Sequence, residues 1–164
     1  MFKKPDCIII RIDYGANYRS VRNIVREKLE ENNIKFNIET NPNRVFVFTE
    51  DIEKAILILK ETKGISSFSP AWSCFSGLNE IKLLAADIAE KILDLGEKKT
   101  FALRVRRAGR HKFTSKIIAE EVGGAVKRVT CASVRLKNPD KELFIECRSR
   151  KTYIFTEKFT RNTE

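Results

Sequence analysis

Residues 101–126, FALRVRRAGRHKFTSKIIAEEVGGAV, change their period halfway. Phe101, Leu103 and Val105 alternate with Ala102, Arg104 and Arg106, the two-residue period of a strand with a basic outer face. Ala108-Gly109-Arg110-His111 reads as a loop. Thr114 or Ser115 can cap the helix that follows, and Ile117, Ile118, Val122 and Val126 supply its inward stripe. The stretch is a strand that feeds a turn and then a helix.

Its charge is equally distinctive. From Lys98 to Ala119 the chain carries Lys98, Lys99, Arg104, Arg106, Arg107, Arg110, Lys112 and Lys116, plus the only histidine, His111, and no Asp or Glu. Such a run is unfavourable unless solvent or a polyanion covers it. Arg104 and Arg106, two apart on a strand, share a face, and the helix start beyond the loop favours an anion. A guanidinium grips phosphate through two hydrogen bonds. The pattern predicts a phosphate-binding surface with nucleic acid as its natural partner; a merely solvated basic face is the alternative.

Working outward, residues 78–95 place Leu78, Ile81, Leu84, Ala85, Ile88, Ile92 and Leu95 on one helical stripe, with Gly96 as its cap. Beyond residue 126, a short strand around Ser133–Leu136, the turn Asn138-Pro139-Asp140, a strand through Leu143, Ile145 and Cys147, and a last strand from Thr152 to Phe155 are expected. Lys137 and Asn138 at that turn extend the basic face.

The first half has its own order. Cys7–Tyr14 reads as a strand, Tyr14-Gly15-Ala16-Asn17 as a turn, and Val21, Ile24, Val25 and Leu29 as a helical stripe. Phe36–Ile38 and Val45–Phe48 form a hairpin across Asn41-Pro42-Asn43. Asp51 is placed to cap a helix ending near Lys63-Gly64, and Ile65–Phe75 is extended, with Pro70 marking an edge or bulge. This β-α-β-β-α-β order predicts a ferredoxin-like domain over 1–76, followed by an α/β domain over 77–164, in an α+β protein.

Composition sets the bounds. The 164 residues are 42% hydrophobic, enough for a packed core, and carry a net charge of +10. Residues 1–76 hold 12 basic and 10 acidic residues, whereas 77–164 hold 20 and 12, so the second half is the expected polyanion surface. Cys7, Cys74, Cys131 and Cys147 lack zinc-knuckle spacing and are expected to be buried free thiols in a reducing, cytoplasmic setting. No apolar run approaches the ~20 residues that span a bilayer, so no membrane contact is expected. No nucleotide-binding glycine loop appears, and His111 has no nucleophile or carboxylate partner in a recognisable catalytic pattern. Neither an enzyme nor a cofactor or metal site is expected.

Gly123-Gly124 inside a helix costs roughly 1 kcal/mol per glycine relative to alanine. Close packing on the sheet or close approach of an RNA backbone would offset it. Trp72 and Phe75 are either core residues or platforms for a base.

The segments 101–126, LKNPDKELFIECR (136–148) and YIFTEK (153–158) together resemble a THUMP domain. The first half, with Tyr14-Gly15 after its leading strand and KGISSFSPAWSC (63–74) as a joining segment, resembles the ferredoxin-like domain that precedes THUMP in tRNA 4-thiouridine synthetases. The resemblance implies tRNA binding, centred on the acceptor end. It carries RNA contacts to Arg104, Arg106, Arg107, Lys112 and the Lys137-Asn138 turn, beside Lys99, Arg110, His111 and Lys116 from the charge pattern. The implied partners are tRNA and a catalytic subunit such as an adenylating sulfurtransferase; a homodimer stays open. The family's adenylating domain, with its Ser-Gly-Gly-x-Asp-Ser loop, is absent from this sequence, and Asp13-Tyr14-Gly15-Ala16 lacks the acid that usually follows the glycine. The expectation is an RNA-recognition protein for 4-thiouridine formation. An adaptor for tRNA cytidine acetylation and the RNA-binding piece of a full-length sulfurtransferase are the alternatives. The ending FTRNTE favours a stand-alone chain.

Overall fold

A computed structural model describes residues 2–41, 44–110 and 112–161. The chain folds as two compact units. One comprises Pro5–Ala71 with Glu157–Glu164; the other comprises Met1–Lys4 with Trp72–Thr156.

The first of these is built from β1 (Cys7–Ile12), α1 (Tyr18–Glu31), β2 (Asn37–Asn41), β3 (Arg44–Phe48), α2 (Ile52–Lys60) and the leading part of β4 (Ile65–Phe75). The strands pair antiparallel in the order β2-β3-β1-β4, the ferredoxin-like arrangement. Ile8, Ile10, Val45 and Val47 pack against Val21, Val25 and Leu29 of α1 and Ala55 and Leu59 of α2. Asn17 starts α1: its side-chain oxygen accepts from the N–H groups of Arg19 at 2.9 Å and Ser20 at 3.2 Å. Asp51 stands at the corresponding position of α2, but its side chain makes no cap bond. Thr49 orders that entry instead, accepting from the Asp51 N–H at 3.1 Å and donating to the Lys35 carbonyl at 2.7 Å. The bulge in β4 falls opposite Arg11 and Ile12 rather than at Pro70, which stays in register with Ile8. Pro42 and Asn43 of the expected hairpin turn lie outside the described residues.

The second unit contains the end of β4, then α3 (Leu78–Lys91), β5 (Thr100–Arg107), α4 (Ser115–Thr130), β6 (Ser133–Val134), β7 (Lys141–Cys147) and β8 (Lys151–Phe155). Its strand order is β4-β8-β7-β5-β6. β5 runs parallel to both neighbours, and β7-β8 and β8-β4 are antiparallel. Both helices cover one face, where Ile81, Ile88, Ile118, Val122 and Val126 meet Phe101, Leu143, Ile145 and Ile154. α3 ends at Lys91, earlier than its apolar stripe suggests, yet Leu93 and Leu95 remain buried because the chain beyond the helix still lies against the core. A short β9 (Phe159–Thr160), not expected from sequence, pairs with Ser67 and Phe68 of the first unit.

The cysteines divide. Cys7 and Cys147 are buried, Cys74 is half-buried, and Cys131 is exposed, contrary to the expectation of four buried thiols. Cys131 ends α4 in the left-handed region at φ 63°, which turns its side chain off the core-facing stripe. Among the described residues no helix is long and apolar enough to cross a membrane, and no cluster of His, Cys, Asp and Glu could hold a metal ion.

Candidate nucleic-acid interface

β5 organises the predicted cations, but it does not gather them in one place. Its eight residues extend about 23 Å at the rise of a strand. Lys99 precedes its first residue, Arg104 sits mid-strand, Arg106 and Arg107 end it, and Arg110 and Lys112 follow in the loop to α4. Lys116 lies in the first turn of α4, 3.9 Å from Glu120. His111 lies outside the described residues.

The turn bearing Lys137 and Asn138 is tied to the opening of β5. The Arg135 N–H donates to the Phe101 carbonyl at 2.8 Å. The Thr100 N–H and hydroxyl donate to the Asp140 carboxylate at 2.8 and 3.1 Å, and the Asp140 N–H returns to the Thr100 hydroxyl at 3.0 Å. The Thr100 backbone N–H, then its hydroxyl, hold the Asp140 carboxyl below the usual carboxylate range, helped by the charges of Lys99 and Arg135 and opposed by slight desolvation. Asn138 adopts φ 51°, a left-handed conformation that asparagine tolerates. Lys99, Arg135, Lys137 and Lys141 thus share one end of β5, all exposed.

Arg104 is not an available cation. Its Nε donates to Glu142 at 2.8 Å on the neighbouring strand, and its Nη2 donates to the Leu136 carbonyl at 2.8 Å. The sequence contains the pair, but only the parallel β5-β7 register, which sets Ala102 beside Glu142 and Arg104 beside Phe144, reveals it.

The other end is shaped by two contacts. The Arg107 Nη1 donates to the Phe113 carbonyl at 2.9 Å, closing the loop on itself. Gly109, at φ 85°, lets the loop pass over the β7-β8 turn; a Cβ there would fall 2.1 Å from the Ser149 Oγ. That same Oγ accepts the Arg110 N–H at 3.2 Å. Arg150, beside Ser149 and exposed, joins Arg106, Arg110 and Lys112 at this end. Arg135, Lys141 and Arg150 were missed by sequence reasoning because strand pairing alone brings them to these ends.

The side chains of Arg106, Arg110, Lys112, Lys99, Lys137, Arg135, Lys141 and Arg150 form no ion pair among the described residues. Of the nearby acids, Glu142 is bound by Arg104 and Glu146 by Arg148 at 3.0 Å, while Asp140 is hydrogen-bonded by Thr100 and feels Lys99 and Arg135 only through their charge. Such a surface suits an anion with many charges. Trp72 is core, its indole N–H donating to the Lys3 carbonyl at 2.9 Å and its ring 6.0 Å from Phe2, so it is not a base platform. Phe75 is 74% exposed. Gly123 is buried beside Leu103, but a Cβ there would stand 3.7 Å from Leu103 Cδ1, an ordinary contact. Space therefore demands neither Gly123 nor Gly124, whose Cβ would lie 3.4 Å from the flexible Arg128 guanidinium.

A family model for the THUMP domain matches residues 75–157. A protein named "Probable tRNA sulfurtransferase" from Methanobrevibacter smithii is 28% identical over 160 residues, 93% of this chain and 42% of its own length. One of the same name from Methanocaldococcus jannaschii is 39% identical over 119 residues, 70% of this chain and 31% of its own length. The chain thus spans well under half of these curated relatives. A crystal structure of a Pyrococcus horikoshii protein superposes with a TM-score of 0.82 at 26% identity, covering 95% of this chain and 55% of that one. A 4-thiouridine synthetase crystallised with RNA and ATP superposes at 0.78 with 21% identity, covering 96% of this chain and 42% of that one, a likeness of fold.

Proposed function

The chain belongs to the THUMP-domain family, and from that premise we propose that it binds tRNA and presents it for modification by a separate catalytic unit. The observation that carries this reading is the set of exposed, unpaired cations at the two ends of β5, within the residues the family model matches. The Lys137-Asn138 turn and the Arg106–Lys112 segment make the phosphate contacts, and the acceptor end is the part of tRNA they recognise.

The modification is 4-thiouridine formation. The names of the relatives support this over cytidine acetylation. Those relatives are two to three times as long as the stretch this chain matches, which fits a catalytic unit, such as an adenylating sulfurtransferase, that lies outside these residues. The work done by this chain is then recognition, in the cytoplasm, with residues 1–76 acting as the ferredoxin-like domain and 77–164 as the THUMP domain, from which β9 returns to pair with the first unit.

Binding of intact tRNA, tRNA trimmed of its 3′ acceptor end, and an unrelated RNA duplex tests the proposal. Preference for intact tRNA supports it; equal binding of all three leaves only a basic surface.

A further inference from the structure

The charge along β5 is not continuous. At its opening stand Lys99 and Lys137, and at its close stand Arg110 and Lys112, all exposed. Between them, Arg104 is joined to Glu142, and Glu146, in register with Arg106, is joined to Arg148. The cations available at the two ends are thus separated by the matched Arg104–Glu142 pair, with the Glu146–Arg148 pair beside the closing end, and the strand between them is about 23 Å long at its rise per residue. Arg104 and Arg106 share one face of β5. The Leu136 carbonyl beside Lys137 receives the Arg104 guanidinium, and Arg106, two residues further along the strand, points the same way.

We infer that the chain grips RNA at two separate phosphate sites, one at each end of β5, so that its ligand is a polynucleotide long enough to span both. This rests on the tRNA-binding reading and adds a length requirement to it. A span of about 23 Å is about seven base pairs at the ~3.4 Å per phosphate of a DNA strand, and an A-form RNA helix, with its smaller rise, needs at least that many. A shorter ligand reaches one end at a time. A longer one occupies both, and the second contact becomes intramolecular, with the gain in affinity that linkage brings.

The test compares two variants, Lys99→Ala with Lys137→Ala and Arg110→Ala with Lys112→Ala, on intact tRNA and on RNA hairpins with stems of about four and about twelve base pairs. All four side chains are exposed, and unchanged thermal melting checks the fold. On tRNA and the long stem, each variant is expected to lose at least about tenfold in affinity near 0.1 M salt. On the short stem, each is expected to lose no more than about twofold, because the intact end still binds. Equal losses on short and long stems, or a loss confined to one variant, overturn the two-site grip while leaving tRNA binding in place. Failure of the unmodified protein to bind tRNA overturns the underlying reading, and this inference with it.

Discussion

Arg104 and Glu142 face each other across two parallel strands, Nε to carboxylate at 2.8 Å, and the same guanidinium holds the Leu136 carbonyl. The pair is partly exposed, at 38% and 42%, so its direct worth is under about 1 kcal/mol. Its larger effect is to fix the turn that carries Lys137. Arg104→Ala and Glu142→Gln are therefore expected to differ. Removing the arginine takes away one of the ties that hold the turn, beside the Arg135–Phe101 and Thr100–Asp140 bonds, and lowers RNA affinity, whereas removing only the carboxylate charge leaves a cation on the strip and raises it. Titration of both variants with tRNA checks this; a fall in affinity for Glu142→Gln contradicts it.

Asp140 adds a pH dependence. Its carboxyl is held below the ordinary value of about 3.9, so its contribution to folding is present above that pH and is lost as pH falls through the lowered folded value. The unmodified protein is expected to lose stability below about pH 4 more steeply than Asp140→Asn, with no difference in slope between pH 6 and 8. Denaturant midpoints across that range decide the matter, and parallel acid limbs would show that the Thr100 contacts contribute nothing.

Gly123 and Gly124 give opposite signals if they serve stability or RNA approach. Space at both admits a Cβ, so alanine at either is expected to stabilise by up to about 1 kcal/mol. If tRNA affinity also stays unchanged, the glycines do not admit an RNA backbone. Raised stability with reduced affinity would place RNA against this helix face.

Gly109→Ala meets two obstacles: the left-handed φ and the Ser149 Oγ at 2.1 Å. Adding Ser149→Ala removes the 2.1 Å clash, leaves the Ser149 Cβ and backbone N at 3.3 Å and the left-handed φ, the latter worth about 1–2 kcal/mol, and takes away the acceptor of the Arg110 N–H. The double variant is expected to regain part of the stability lost by the single one. Measured against Ser149→Ala alone, which reports the lost Arg110 contact, a Gly109→Ala cost as large as in the unmodified protein would show by thermal melting that the serine is not in the way.

Much of the architecture was legible because periods and turn residues are local. The stripe Val21, Val25, Leu29 and the alternation through Leu143, Ile145 and Cys147 mark elements that formed where expected. α3 ran short of its stripe because burial of Leu93 and Leu95 needs only contact with the core, not helix. β9 escaped notice because two residues carry no period, and their pairing with β4 is long-range. At the candidate interface, the cations were readable as a composition but not as a geometry. The Arg104–Glu142 pair, the Thr100–Asp140 clasp, and the placement of Arg135 and Arg150 all depend on which strands lie side by side.

The salt dependence of tRNA binding tests the central claim most directly. With about four phosphate contacts, affinity is expected to fall about 100-fold between about 50 and 200 mM salt, and each two-cation variant is expected to reduce the logarithmic slope by about 2. A slope that is near zero, or that neither variant changes, would contradict the assignment of the β5 ends as the surface that holds RNA.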